Sequence, residues 1–419
     1  MKDTEFFEQA LGLVEPWRVK SVRMEVAARR VEVELECGKT AWGEGGERLH
    51  IQGYEQRTWR HLDTMQFETV LKARVPRVKY PDGHTEMVRV PWAAPHGRFT
   101  LLFECFAIEV LLACQSVSAA CELMGLNWGS AQRIIDRGSP VRRPPLFPSA
   151  SSAVERGLAR RSLEGIERVG MDEKSFGRGQ DYIGLLNDLD GSRVVEVTPG
   201  NDTESGRRLW QSLDKAQREK VKAAAMDMSA GFAAATRLEA PQALIVYDKF
   251  HVSALLNKAV DLVRRQEHRK LSEEGDESLK GTKQLWLYNP INLSEERLAQ
   301  FEEVLEGNLK TSRAWLVKEN FCGFWDQEGR WQGEGYFKKW YSHAIRTRLE
   351  PIKKVARTLK KHLEGLLNYF EHRITNAASE SINSRIQALK ANARGFRDFD
   401  NYRTRILFFL GKLHMAPAI

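Results

Sequence analysis

Three acidic residues stand apart from the general surface charge of this chain. Asp172 follows the apolar run in ERVGMDEKSF, and Asp227 follows that in EKVKAAAMDMS. Glu380 lies in ITNAASESINSRIQALKANARG, where helical spacing puts Asn376, Glu380, Asn383, Gln387 and Lys390 on one side. An apolar stripe of Ala378, Ile382, Ile386 and Leu389 lies on another. One acid flanked by two amides differs from the alternating charges of an ordinary solvated helix. Carboxylates are the oxygen donors that a hard divalent cation such as Mg²⁺ prefers, and ligand sites in open sheets gather at the carboxyl ends of strands. For either aspartate alone, a turn after a buried strand is explanation enough; the pair, placed at neighbouring strand ends, points to a site. A further strand-end acid, Asp248 in ALIVYDKFH, is followed three residues later by His251.

Those acids require particular elements to bring them together. From residue 151 the pattern reads strand, hairpin, helix, strand, helix, strand: ERVGMDEKSF ending at Asp172-Glu173, QDYIGLLNDLDGSRVVEVTPG with its turn at Asp188 to Gly191, then ESGRRLWQSLD, EKVKAAAMDMS, GFAAATRLEA and PQALIVYDKFH. This is the element order of an RNase H-like fold, in which the first and fourth strands are parallel neighbours. Adjacent strands lie ~5 Å apart, so Asp172 and Asp227 would face each other. Asp248, one strand further out, would be ~10 Å from Asp172, too far to share an ion with it. Its expected role is to cap the following helix and bond His251. Thr375 and Gly395 are the expected start and stop of the helix carrying Glu380.

The flanking regions are of other kinds. Residues 1–98 read as a small β-rich domain, with strands in VRMEVAARRVEVELE and ETVLKARVPRVKY, a bulge at Pro76, and turns at Cys37-Gly38 and Asp82-Gly83 beside His84. Residues 99–150 hold a buried helix, FTLLFECFAIEVLLACQ, then a helix-turn-helix cadence with its turn at Gly125 and Arg133 and Arg137 on the exposed side, then a Pro- and Ser-rich linker. Residues 151–251 and 371–419 form the two parts of the core, separated by a helical insertion over 252–370. That insertion carries Trp286, Trp315, Trp325, Trp331 and Trp340, read chiefly as core, with one or two able to stack on unpaired bases. The expected fold class is therefore α+β multidomain: an RNase H-like α/β catalytic core interrupted by an α-helical insertion and preceded by a small β-rich domain and a helix-turn-helix.

Charge narrows the partners. The formal net charge is +8, and from Tyr341 onward fifteen Lys and Arg face six Asp and Glu, so the excess lies at the C-terminal end. A basic segment on a near-neutral body suggests a polyanion. No apolar run is long enough to span a membrane, MKDTEFFEQ has no signal-peptide pattern, and five unpatterned cysteines suit a reducing, cytoplasmic setting. One Cys and scattered histidines in the first domain do not make a tetrahedral zinc site.

The phrases GMDEKSFGRGQDYIGLLND, AMDMSAGFAAA, IVYDKFHV and ITNAASESINSRIQALKANARGFRDFDNYRTRIL resemble the insertion-sequence transposases of the ISL-three family, as do TWRHLD, ARVPRVKYPDGH and VPWAAP nearer the start. The resemblance covers most of the chain. It implies a DDE transposase whose triad is Asp172, Asp227 and Glu380, holding two Mg²⁺ ions (Mn²⁺ as a substitute) for in-line displacement at phosphodiesters. Asp248 and His251 match a (C/D)-x-x-H element seen after the second Asp in such families. Asn376 and Asn383 would orient Glu380 or contact DNA, while Arg385, Lys390, Arg394 and Arg397 would hold phosphates. Implied partners are double-stranded DNA, both terminal inverted repeats and target, and further copies of the chain on that DNA in a nucleoid-associated setting. The chain departs from the family at its two CxxC pairs, which fall on Glu34 and Cys37 and on Tyr80 and Gly83, so three of four zinc ligands are missing and zinc is doubtful. The expected activity is cleavage and transfer of insertion-sequence ends. The alternatives are a catalytically silent, sequence-specific DNA-binding derivative and a structure-selective nuclease on the same fold.

Overall fold

The computed structural model describes residues 2–39, 41–42, 49–80, 82–136, 152–177, 181–288, 290–307, 309–374 and 377–417. Two compact units result: Met1–Ser162 together with Leu389–Ile419, and Leu163–Ala388.

The first unit is built on a sheet of β1 (Trp17–Glu25), β2 (Arg30–Cys37), β3 (Ala41–Trp42), β4 (Leu49–Arg60), β5 (Glu68–Lys79) and β6 (Thr85–Met87), ordered β1-β2-β5-β4-β3 with β6 also on β5. The inward residues of β2 and β5 alternate with exposed ones, and Trp92 packs edge-on against both Trp17 and Trp59, with ring centroids 4.9 and 5.5 Å away. The expected bulge at Pro76 lies instead on the partner strand. β4 shifts register between Ile51 and Gly53, while Pro76 pairs with Tyr54 in an unbroken β5. The Pro76 carbonyl accepts from Val88 N, so its missing N–H faces the same edge, where β2 stops pairing at Ala73 and β6 begins only at Arg77. A proline is tolerated there because no ladder donor is required.

Helices Leu101–Cys114, Val117–Met124 and Trp128–Asp136 follow in the order read from the sequence. Ser116 caps the second, Gly125 turns out of it at φ +61°, and Asn127 Oδ1 accepts from Ser130 N at the start of the third. The final helix, Phe399–Leu410, packs on Trp128–Asp136 and on Ala153–Arg160. This differs from the expectation that all of 371–419 stays with the core: from Leu389 onward the segment joins the first unit. The apolar face of Phe399–Leu410 is buried there, and Arg156 of helix Ala153–Arg160 donates to the Met415 carbonyl at 3.1 Å.

In the second unit β7 (Arg168–Ser175), β8 (Tyr182–Asp188), β9 (Arg193–Pro199), β10 (Ala223–Met226) and β11 (Leu244–Tyr247) form a sheet ordered β11-β10-β7-β8-β9. β10 is parallel to both β7 and β11, and β8 and β9 are antiparallel, as the sequence order requires. Asp188 ties the hairpin turn, its Oδ1 accepting from Gly191 N and its Oδ2 from Arg193 Nε. The helical stretch after β11 does not form a core of its own: its buried residues are continuous with those of the sheet. Trp286, Trp315 and Trp340 are inside that core, whereas Trp331 is 82% exposed. Asn368 donates to the Ile245 carbonyl at 2.9 Å, which occupies a backbone acceptor of the edge strand β11. No helix among the described residues is long and apolar enough to cross a membrane.

His61 gives the first unit a pH dependence. It is buried at the end of β4, its Nδ1 is 2.9 Å from Thr100 Oγ1, and desolvation pushes its pKa down to about 4 from the usual 6.5. The unfolded chain then binds more protons between those values, so stability is full above about pH 6.5 and falls as the pH drops toward 4, by up to about 3 kcal/mol. Hydrogen exchange of peptides from β4 and β5 should accelerate on acidification through that window in the parent, and much less in His61→Asn. Equal acceleration in both would place the acid-sensitive group elsewhere.

Candidate active site

The acids are positioned by register. Met171, Met226 and Tyr247 are aligned across β7, β10 and β11, so the next residues, Asp172, Asp227 and Asp248, form one row across three parallel strands. β7 does not end at Asp172, as the sequence suggested, but runs on to Ser175 paired with β8 alone. What ends after Met226 is β10, and this opens the edge of β7 at Asp172. Alternation places Gly170 and Asp172 on one face of the sheet and Met171 on the other.

Helix Ala377–Asn392 covers the Gly170 face. Asn383 Nδ2 donates to Asp172 Oδ2, and a Cβ built on Gly170 would lie 2.6 Å from Ser379 Oγ and 2.9 Å from Leu189 Cδ2. Four helical residues advance ~6 Å and two strand residues ~6.6 Å, so the contacts Ser379–Gly170 and Asn383–Asp172 set the helix alongside β7 with matched rise. Ile382, Ile386 and Leu389 of the expected apolar stripe are buried. Ala378, Thr375 and Asn376 lie outside what the structure describes of their side chains. Gly395, at φ +92°, ends the segment, its N–H bonded to the Lys390 carbonyl at 2.9 Å.

Asp172 is buried. Its Oδ1 accepts from Glu173 N at 2.7 Å, and its Oδ2 has the Lys174 ammonium at 3.3 Å beside the Asn383 amide. Asp227 is half-buried, and burial pushes its pKa up while the hydrogen bond to His251 opposes that shift. His251 Nδ1 is 2.5 Å from Asp227 Oδ1 and 3.1 Å from Asp248 Oδ2, and these two carboxylates raise its pKa to about 10. Asp248 also caps helix Lys249–Glu273 through Oδ1, which accepts from Phe250 N at 3.1 Å. Glu380 is exposed, one helical turn before Asn383. Among the described residues, one set of three His, Cys, Asp or Glu side chains has ligand atoms all within 4.8 Å of one another, and it is Asp227, Asp248 and His251. Asp172 and Glu380 stand outside it.

The donor set fits a hard divalent cation. The carboxylates are oxygen donors on neighbouring strands, each already drawing a cationic side chain toward it, Lys174 at Asp172 and His251 at Asp227. Asn383 Oδ1, beside Asp172, is buried with no hydrogen-bond partner among the described residues. Sequence reasoning missed Gly170, Lys174 and Ser379. Strand alternation, which puts Gly170, Asp172 and Lys174 on one face, was the signal available for two of them. Among the residues expected to meet DNA, Arg133 is exposed on its helix with Nη2 bonded to Ser130 Oγ at 3.0 Å, Arg385 and Lys390 are half-buried, and Arg394 and Arg397 are exposed after the helix end. Arg137 lies outside the described residues.

In the first unit the turn expected at Asp82-Gly83 is held without a metal. Tyr80 and His84 stack with centroids 4.3 Å apart, His84 Nδ1 lies 2.5 Å from Asp82 Oδ1, and Gly83 takes φ +92°.

Comparison with known proteins adds the following. A family profile described as a transposase, of the ISL3 type with a DDE domain, matches residues 169–406. The helix-turn-helix domain of transposase family ISL3 matches 88–139, and the zinc-finger of transposases IS204, IS1001, IS1096 and IS1165 matches 45–83. The zinc-finger stretch contains no cysteine here, so its side chains do not fit a tetrahedral zinc site. The transposase for insertion sequence element IS1557 of Mycobacterium tuberculosis is 26% identical over 95% of this chain and 93% of its own. That for IS1001 of Bordetella parapertussis is 25% identical over 94% and 92%. A solved structure, the Drosophila P element transposase strand transfer complex, aligns with a TM-score of 0.41 at 12% identity, over 76% of this chain and 93% of that one.

The register of helix and strand can be tested directly. Gly170→Ala should cost about 1–3 kcal/mol of stability by overpacking against Ser379 and Leu189, and Ser379→Ala in the same chain should recover part of it. Chemical denaturation of the parent, both single variants and the double variant measures the coupling. Strictly additive losses would mean that these two residues do not meet.

Proposed function

This chain belongs to the ISL3 family of transposases, and on that premise we propose that it cleaves and rejoins DNA at the terminal inverted repeats of an insertion sequence, with Asp172, Asp227 and Glu380 as the catalytic acids. The five-stranded sheet, with its parallel first and fourth strands, is read as an RNase H-like core. The observation that carries the proposal is the pair Asp172 and Asp227 at equivalent positions of adjacent parallel strands, with the helix of Glu380 fastened to Asp172 through Asn383.

Asp172, Asp227 and Glu380 would hold two Mg²⁺ ions, which when bound activate the attacking oxygen and stabilise the leaving one. Everything else is done by the protein's own side chains. Asn383 fixes the Asp172 carboxylate by donating to Oδ2, while the Glu173 amide holds Oδ1. His251 orients Asp227 and offsets the charge of two neighbouring acids. Glu380, exposed one turn from Asn383, can approach a DNA strand lying against this face of the sheet. Arg385, Lys390, Arg394 and Arg397 supply positive charge for phosphates, and Arg133 presents the helix-turn-helix to base edges. Action on paired ends and a target implies a homodimer or higher oligomer on the DNA.

A second reading follows from the cluster of Asp227, Asp248 and His251, in which Asp248 in place of Glu380 completes the ion site. Against it, both Asp248 oxygens are already engaged, one with Phe250 N and one with His251. Cleavage of labelled element ends with Mg²⁺ separates the two. Asp227→Ala and Glu380→Gln should abolish cutting and leave DNA binding nearly intact, and Asp248→Ala should lower stability while retaining measurable cutting. Parent-rate cutting by Glu380→Gln would remove that residue from the site, and complete loss in a folded Asp248→Ala would favour the second reading.

End recognition has its own test. Arg133→Ala should weaken binding to the element end by roughly tenfold or more, and binding to random duplex much less, as befits a base-edge contact. Equal losses on the two DNAs would make Arg133 a phosphate contact.

A further inference from the structure

A cavity of about 730 Å³ lies within the first unit, between the helix-turn-helix and the segment that follows helix Ala377–Asn392. Trp128, Gln132, Arg394, Phe396, Arg397 and Arg405 are in its wall, and no Asp or Glu lines it. Three guanidinium groups with no acid in the wall select an anion. An exposed indole and a phenyl ring beside them select something that is also flat and aromatic.

The walls are built rather than incidental. Arg405 is buried in the final helix, donates through Nη2 to Gln132 Oε1, and stands over the Trp128 ring with its guanidinium carbon 5.8 Å from the centroid. Trp128, the first residue of its helix, is nevertheless 56% exposed, so indole surface remains open. Opposite, Arg394 and Gly395 both take left-handed backbone, at φ +53° and +92°, and Phe396 packs on the buried ring of Tyr402 at 4.6 Å. That anchorage holds a short turn whose arginines, Arg394 and Arg397, are exposed.

We propose that this cavity receives an unpaired nucleotide of DNA, its base on Trp128 and its phosphate between Arg394 and Arg397. The proposal rests on the transposase reading, which supplies DNA as the partner. The volume is that of a small-ligand pocket: it admits one or two nucleotides and excludes a duplex. Aromatic stacking with a basic groove is how proteins hold unpaired strands without reading their sequence. An unpaired nucleotide at this position would be gripped by the turn that directly follows the Glu380 helix and by the first residue of the helix-turn-helix's second helix.

The test uses the full chain and two probes, a blunt random duplex and the same duplex with a single-stranded thymidine tail containing 2-aminopurine. The parent should prefer the tailed duplex and quench the 2-aminopurine. Trp128→Ala should lose roughly tenfold in affinity for the tailed duplex, with a much smaller loss on the blunt one, and Trp128→Phe should keep most of the preference. Equal losses on both probes, or a parent that binds the tail without quenching, would overturn the pocket. Should Trp128→Ala fail to fold, the quenching by the parent decides alone. Binding to blunt duplex with no preference for the tail sinks only the pocket, whereas binding to neither probe sinks the transposase reading as well.

Discussion

The hydrogen bond from Asn383 to Asp172 is the constraint on which the arrangement of the site depends. A helix can lie on a sheet in many registers, because apolar contacts are not directional. Here the register is set by two unlike contacts one helical turn apart. At Gly170 the sheet offers no side chain, and Ser379 approaches to a distance that a Cβ would forbid. At Asp172 the sheet offers a buried carboxylate, which needs a donor, and Asn383 supplies it. Burying an acid without a partner costs several kcal/mol, so a slip of the helix would lose the bond and meet a steric block as well. Glu380, exposed between these two contacts, gains its position from them and not from contacts of its own.

Electrostatics explains the rest of the row. Acids at the same register on three adjacent strands repel one another, and partial burial raises the cost. The fold offsets this with cations that belong to the same elements. Lys174 follows Asp172 by two residues on the same face of β7, and His251 comes from the first turn of the helix that Asp248 caps. Asp248 therefore has three tasks: it ends β11, starts the long helix, and holds the imidazole against Asp227. The helices after β11 contribute indirectly. They share one core with the sheet, and Asn368 closes a carbonyl on its edge strand, so the row sits on a sheet whose outer strand is covered.

Much of this was legible in the sequence because it rests on local patterns. The strand order follows from apolar runs broken by turns, and the caps at Ser116, Asn127 and Asp248 follow from residue type. The row of acids was half visible: each strand-end Asp could be found, but their common register depends on pairing that no single strand encodes. Asp172 was misread as a strand terminus because its boundary is set by the neighbour. β10 stops after Met226, while β7 continues to Ser175. Pro76 misled for a similar reason. A proline does mark a missing donor, but whether the strand must bulge depends on which edge that donor would have faced, and here it faces the gap between β2 and β6. Ser379 was hidden because its importance comes from the absence of a side chain at Gly170, more than two hundred residues earlier.

The allocation of the last helix shows how a polar contact can decide what an apolar face leaves open. Phe399–Leu410 carries enough buried apolar surface to pack on any complementary partner, and its place in the chain suggested the core. Arg405 removes that freedom. A guanidinium this deeply buried needs acceptors in the right plane, and it finds Gln132 on the helix-turn-helix together with the face of Trp128. Arg156 contributes a second polar tie, to the Met415 carbonyl, from the helix that follows. Apolar burial supplies most of the energy, and these two arginines supply the choice of partner. The consequence is that the residues after Gly395 serve the same unit as the helix-turn-helix. The basic charge concentrated at the C-terminal end of the sequence is thereby divided, with Arg385 on the helix of the acids and Arg394, Arg397 and Arg405 around the cavity beside Trp128.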